Sequence, residues 1–228
     1  MIIGNGLLAS ACRARFKDVE DLIIFASGVS NSREERSEEF LREKNMLIDA
    51  LSYGKFLIYF SSCSVNDLTL MKSAYVTHKL AMEALVGSAE NHAIFRLPQV
   101  VGKTANPHTL TNYLYNVIIS GAHFQIWRNA ARNLIDVDDI VTIIEHLYCT
   151  SKINRVTMNI ACPFSIPMVQ LVSVFESILD KKANFTLIDA GGSYTIDTDL
   201  ATATAKQIGI DFDDSYIERL IRKYYVSQ

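Results

Sequence analysis

Three short apolar runs limit what this chain can become: Leu22–Ala26 (LIIFA), Phe56–Phe60 (FLIYF) and Ala93–Leu97 (AIFRL). None shows the apolar–polar alternation of a half-buried strand, so a strand made from any of them is expected to bury both faces. Between them lie two longer stretches with apolar residues at helical spacing. Glu34–Ser52 carries Phe40, Met46, Leu47, Ala50 and Leu51 on one side, and Ser73–Ser88 is the second. Doubly buried strands alternating with helices predict an α/β fold with a parallel sheet covered on both faces.

The second half is more mixed. Thr109–Ser120 is predicted helical, with Gly121 at its left-handed end. Asp138 is the expected N-cap of a helix reaching Tyr148. Pro167 fits a first helical turn, and Ser215-x-x-Glu218 has the pattern of a capping box. Hydrophobic residues make up 49% of the 228 and charged residues 21%, which excludes a disordered chain. A net charge of −3 argues against a nucleic-acid partner. Cys12, Cys63, Cys149 and Cys162 show no CxxC spacing, so reduced thiols in a cytoplasmic protein are expected. No apolar run is long enough to span a bilayer. Ala9-Ser10-Ala11-Cys12 follows no basic residue, so no leader is expected.

Three features can carry chemistry. Gly4-Asn5-Gly6-Leu7-Leu8-Ala9 is G-x-G-x-x-A between a short apolar run and a helix, where glycines let a backbone approach a pyrophosphate. An ordinary glycine turn satisfies the same residues. The acid expected about 20 residues on, for an adenosine ribose, is missing: the next strand ends in Ala26-Ser27-Gly28. Tyr75 and Lys79 are four apart, one helical turn, so a nearby ammonium would lower the phenol's pKa. A surface pair has the same spacing. Ser61-Ser62-Cys63-Ser64 ends the FLIYF strand, where α/β sheets face their ligands, although a serine-rich turn explains it equally.

Taken together and in this order, these features resemble the extended short-chain dehydrogenase/reductase family of nucleotide-sugar epimerases, dehydratases and reductases. The resemblance extends to Arg96-Leu97-Pro98-Gln99-Val100-Val101-Gly102-Lys103, to Arg132–Val141 (RNLIDVDDIV), to Ile196-Asp197-Thr198 and to Ala205–Gly209 (AKQIG). The segments Phe95–Lys103 and Asn112–Asn116, with Ala26–Ser30, are similar in part to reductases of the capsular UDP-N-acetyl-L-fucosamine route, without their added cupin domain in these residues. Asn45 matches the family's helical asparagine.

The resemblance implies a Rossmann-like doubly wound parallel sheet, shortened by about two β-α units, with a small mixed substrate-binding cap. Residues 1–100 would form the dinucleotide-binding core, and residues 101–228 mainly the cap, with segments returning to the core. Ser62, Tyr75 and Lys79 would be catalytic. NAD or NADP would lie against Gly4, Asn5, Gly6, Leu7, Leu8, Ala26, Ser27, Gly28, Ser61, Tyr75, Lys79, Pro98 and Val100. A nucleotide-sugar substrate would meet Ser62, Cys63, Ser64, Gln99, Asn112 and Arg132. Cys63 and Ser64 stand where sugar dehydratases keep an acid and a base, which leaves epimerisation or ketone reduction, with surface polysaccharide as the destination. The alternatives are a nucleotide-sugar or dinucleotide binder without turnover, and a subunit completed by a partner. Asp136, Asp138 and Asp139 are read as helix and strand residues and no metal is assigned. His78 is expected at the surface. A homodimer through Glu34–Ser52 and Ser73–Ser88 is the family-like expectation.

Overall fold

The computed structural model describes residues 1–150 and 153–226. The chain begins β1 (Ile2–Ile3), α1 (Leu7–Phe16), β2 (Leu22–Phe25), α2 (Ser37–Ser52), β3 (Phe56–Ser62), α3 (Ala74–Gly87) and β4 (His92–Leu97). It continues β5 (Gln99–Val101), α4 (Leu110–Ser120), β6 (Phe124–Trp127), β7 (Ala131–Arg132), β8 (Leu134–Asp136), α5 (Val137–Cys149) and β9 (Val156–Asn159). It closes with β10 (Ile166–Pro167), α6 (Met168–Leu179), β11 (Phe185–Ile188), α7 (Asp199–Gln207) and α8 (Tyr216–Tyr225).

β1, β2, β3, β4 and β9 form one parallel sheet in that order. The period of two in a strand sends Ile24, Ile58 and Phe95 to one face, where Cys12 and Phe16 of α1 and Ile140 and Ile144 of α5 cover them. Ile23, Phe25, Leu57, Tyr59 and Ile94 go to the other, under Leu47 and Ala50 of α2 and Met82 and Val86 of α3. Leu22 to Phe25 are at most 1% exposed, which explains why the run has no polar alternation. Burial of each such side chain contributes about 1.5–3 kcal/mol.

The sheet is built in one direction from β1 to β4, yet α1 lies on the opposite face from α2 and α3. Parallel crossovers that step the same way on opposite faces have opposite hands. Right-handed crossovers are the strong rule, and α2 and α3 share one hand, so the β1–α1–β2 unit has the other, as does the step from β4 to β9, whose helix α5 lies on the α1 face. An intact doubly wound sheet avoids this, because the helix after its first strand leads outward to strands on the far side. Here, among the described residues, β1 pairs only with β2. The shortening is therefore visible as a reversed crossover at an edge strand.

The second core is held by α4, α6 and α8, with Leu114, Ile118, Leu171, Phe175, Ile217 and Leu220 at its centre. The short pairs β6–β11, β5–β8 and β7–β10 border it. Gly121 ends α4 at φ +71 as expected, and Thr109 caps its start. Three expectations are corrected. Asp136 caps α5, accepting from the Asp138 amide at 2.9 Å, and Asp138 falls in the first turn. Ser215 bonds Asp213 while Glu218 pairs with Arg222, so no capping box forms. The second helix starts at Ser37, not Glu34, because the Glu34 carboxylate folds onto the amide and guanidinium of Arg36. No described helix is long and apolar enough to cross a membrane.

Candidate active site

The parallel register brings the C-terminal ends of β1 to β4 to one edge. Ile3 pairs with Phe25, Phe25 with Tyr59, and Ser62 with Leu97. At this edge the chain turns through Gly4, Asn5 and Gly6 into α1. Gly4 has φ +125, and a Cβ there would lie 2.4 Å from the Ala26 carbonyl oxygen, so only glycine fits. A Cβ on Gly6 would meet nothing within 4 Å, which leaves that backbone open to a ligand. The Arg13 guanidinium donates to the Gly4 carbonyl and to Asn5 Oδ1, steadying the turn. Leu7 lies against Gly102, and Leu8 packs against the core. Pro98 and Val100 follow β4 nearby, with Val100 paired to Ile135.

Ser62 ends β3, with its Oγ accepting from the Ser64 amide at 3.2 Å and its hydroxyl near enough to Tyr75 to lower the phenol's pKa. Tyr75 and Lys79 are both buried on α3. The expected electrostatic partnership between them is not what the structure shows. Lys79 Nζ donates to Glu43 Oε1 at 3.0 Å and to the Tyr59 hydroxyl at 3.1 Å. Burial pushes the Tyr75 hydroxyl up to about 12, the neighbouring Ser62 hydroxyl pulls the other way, and the Glu43 charge adds to the rise. Tyr75 is thus a protonated phenol.

Glu43 is the residue that the sequence reading missed. It lies on α2, fully buried, with its carboxylate accepting from the Val29 amide (2.6 Å) and the Tyr59 hydroxyl (2.7 Å) as well as Lys79. His78 Nε2 stands 2.9 Å away, so His78 is buried inside the site and not at the surface. Burial alone would raise the Glu43 carboxyl, but His78, Lys79, Tyr59 and the Val29 amide outweigh it and hold it at about 2. Asn45, the expected helical asparagine, is exposed. Gly28 lies over the pair: a Cβ there would be 2.7 Å from Lys79 Nζ and 2.9 Å from Glu43 Oε1. Ala26 and Ser27 are half-buried beside it, and Arg42 donates to the Ser27 carbonyl.

The remaining expected residues divide. Ser61 is turned inward, donating to Glu83 at 2.6 Å, and Glu83 also holds Arg96. Cys63 is fully buried with its thiol on the Arg96 carbonyl, and burial raises it to about 12, so its side chain is not presented to a substrate. Ser64 neighbours Tyr194, another residue missed in the sequence, which arrives from the loop before α7 and lies within electrostatic reach of Tyr75 and Arg132. Arg132 is half-buried beside Tyr194 and Asp67. Gln99 is exposed at the start of β5. Asn112 stands apart: it donates to the carbonyls of Thr104 and Asn106 and accepts from Tyr225, in a separate cavity of about 470 Å³. Asp136 and Asp138 bind Lys223, and Asp139 accepts from Tyr216. Among the described residues no group of three or more His, Cys, Asp or Glu could hold a metal ion.

No protein-family model matches this sequence, and no curated protein does. Solved structures do. RMD from Pseudomonas aeruginosa complexed with NADPH superposes with a TM-score of 0.72 at 12% identity, covering 97% of this chain and 96% of that one. The two share a Rossmann-like fold. UDP-glucuronic acid 4-epimerase from Bacillus cereus, in complex with UDP-glucuronic acid and NAD, shares this fold at a TM-score of 0.71 and 16% identity, over 94% and 76% of the two chains. A dTDP-4-dehydrorhamnose reductase from Clostridium acetobutylicum gives 0.69 and 14% over 83% of each. Within this fold the reversed first crossover and the Glu43–Lys79 pair are features of the present chain.

Proposed function

We propose that this chain is an NAD(P)-dependent epimerase or reductase of a nucleotide-activated sugar, serving surface polysaccharide synthesis in the cytoplasm. The observation that carries the reading is the neighbourhood of Ser62, at the C-terminal end of β3, and the buried Tyr75 hydroxyl, with Lys79 one turn along the Tyr75 helix. The fold neighbours bound to NADPH, or to NAD with UDP-glucuronic acid, support it. The residues present suit a dinucleotide. The backbone at Gly6 is open, and Lys79 has acceptors for two of its three N–H groups, leaving one for a ribose hydroxyl.

A bound dinucleotide would supply or take the hydride. Tyr75 would hold the proton for the sugar oxygen, Ser62 would orient that oxygen, and Arg132 would grip a diphosphate. Residues 1–100 would form the dinucleotide core and residues 101–228 mainly the sugar-binding cap, with a homodimer across α2 and α3. Elimination of water is disfavoured, since neither Cys63 nor Ser64 supplies an acid–base pair.

A second reading is favoured by the same site's electrostatics: a nucleotide-sugar or dinucleotide binder without turnover, because Tyr75 is buried and protonated. Titration with NAD, NADH, NADP and NADPH tests both, followed by UDP-, GDP- and dTDP-sugars with the bound form. Micromolar binding and turnover that Tyr75→Phe abolishes support the enzyme. Binding without turnover supports the second reading, and absence of any binding sinks both for the isolated chain.

A further inference from the structure

Lys79 is buried, and an ammonium in that setting needs acceptors. It has two, and both come from outside its own helix: Glu43 on α2 and Tyr59 on β3. Tyr59 in turn donates to the same Glu43 oxygen, so the three groups close a ring. The Val29 amide and His78 fix the second carboxylate oxygen. Gly28 packs closely against the ring, with no room for a methyl group. A carboxylate with this many partners has one orientation, and so does the ammonium attached to it.

We propose that Glu43 is a positioning residue of this site: it locks the Lys79 ammonium against Tyr59 and beneath Gly28, leaving one N–H for a ligand hydroxyl, so that the charge of Lys79 engages Glu43 and not Tyr75. The inference rests on the dinucleotide reading above and specifies how this chain departs from it. Tyr75 then answers to Ser62, with Lys79 serving as a fixed hydroxyl donor. The groups that face Tyr75 are Ser62 at the end of β3, Cys63 directly after it, Glu43 from α2 and Tyr194 from the loop before α7. Those that face Lys79 are Glu43 and Arg42 from α2, Tyr59 from β3, and Glu83 on its own helix.

The test compares wild type with Glu43→Gln, each against its Tyr75→Phe counterpart. The Tyr75 phenolate is read as the difference in ultraviolet absorbance across a pH titration, and NADH affinity is read by calorimetry. Expected are a phenolate that appears at least about one pH unit lower in Glu43→Gln, and NADH binding weaker by about tenfold. A carboxylate that merely props up the fold would leave the phenolate titration in place. Unchanged titration and unchanged affinity overturn the inference. Should Glu43→Gln not fold, the wild type decides alone: a Tyr75 phenolate already present below about pH 9 means that Lys79 acts on it, which overturns the inference, and none there upholds it. If wild type binds no NADH, the dinucleotide reading fails, while the phenolate comparison, which uses no ligand, still decides the role of Glu43.

Discussion

The Ala26 carbonyl oxygen lies 2.4 Å from the point where a side chain on Gly4 would begin. Ala26 directly follows β2, and Gly4 directly follows β1, so the contact joins the ends of two paired strands. Alanine at Gly4 must also adopt a left-handed backbone. Gly4→Ala is expected to lose about 1–3 kcal/mol of stability in chemical denaturation, and more if the carbonyl cannot move. Gly6→Ala is the control, because its Cβ meets nothing and its φ is −81. It should stay within about 0.5 kcal/mol of wild type and lose only dinucleotide affinity.

Acid should act on the fold through Glu43. Its carboxyl sits at about 2 in the folded chain against an ordinary 4.5. A lowered folded value gives stability that is complete above the ordinary value and is lost as pH falls through the folded one. The window therefore runs from about pH 4.5 down to about 2, and the loss across it is roughly 3 kcal/mol. Thermal unfolding of Glu43→Gln should show a flatter slope there. At neutral pH the variant should be less stable by about 3–5 kcal/mol, since Lys79 loses its buried counter-charge.

Asp136 and Asp138 separate two roles that look alike in the sequence. Asp136 is buried, caps α5 and receives both Lys223 and the Tyr224 hydroxyl. Asp138 has a side chain 57% exposed. Asp136→Ala should destabilise by about 2 kcal/mol or more, as the sum of a lost cap and a stranded partner. Asp138→Ala should fall within about 1 kcal/mol. Urea midpoints of the two variants decide the matter.

Cofactor choice should be weak. A dinucleotide site usually reads the adenosine ribose with an acid or an arginine beyond its first strand. Among the described residues β1 has no strand on that side, and β2 ends in Ala26-Ser27-Gly28. NADH and NADPH are expected to bind within about threefold of each other, well under 1.4 kcal/mol apart. A preference of about thirtyfold or more in calorimetry would show that other residues or a partner chain read the ribose.

The sheet was legible because doubly buried strands write themselves as unbroken apolar runs, and Leu22–Phe25 and Phe56–Phe60 are of that kind. β9 was not, because Val156–Asn159 offers one buried side chain, Met158, and owes its place to pairing with β4. The glycine turn and the order of Ser62, Tyr75 and Lys79 could be read from spacing. The partner of Lys79 could not, since the distance between α2 and α3 is a tertiary fact. A signal did exist: Glu43 falls between Phe40 and Leu47 on the inward side of α2, and a lone carboxylate on an apolar stripe asks for a buried cation. His78 was misplaced because its position beside Tyr75 was judged on one helix alone, without α2 packed against it.

The reversed crossover also marks where the architecture could take on more chain. The link from α1 to β2 is only Lys17–Asp21, and it lies next to the free edge of β1. A β-α-β-α segment spliced into that link could lay its strands along the open edge. The helix after β1 would then lead outward, and the first crossover would regain the hand of those through α2 and α3. Such a graft would turn a one-way sheet into a two-way one, with a crevice where the strand order reverses, and it would leave Ser62, Tyr75 and Glu43 untouched.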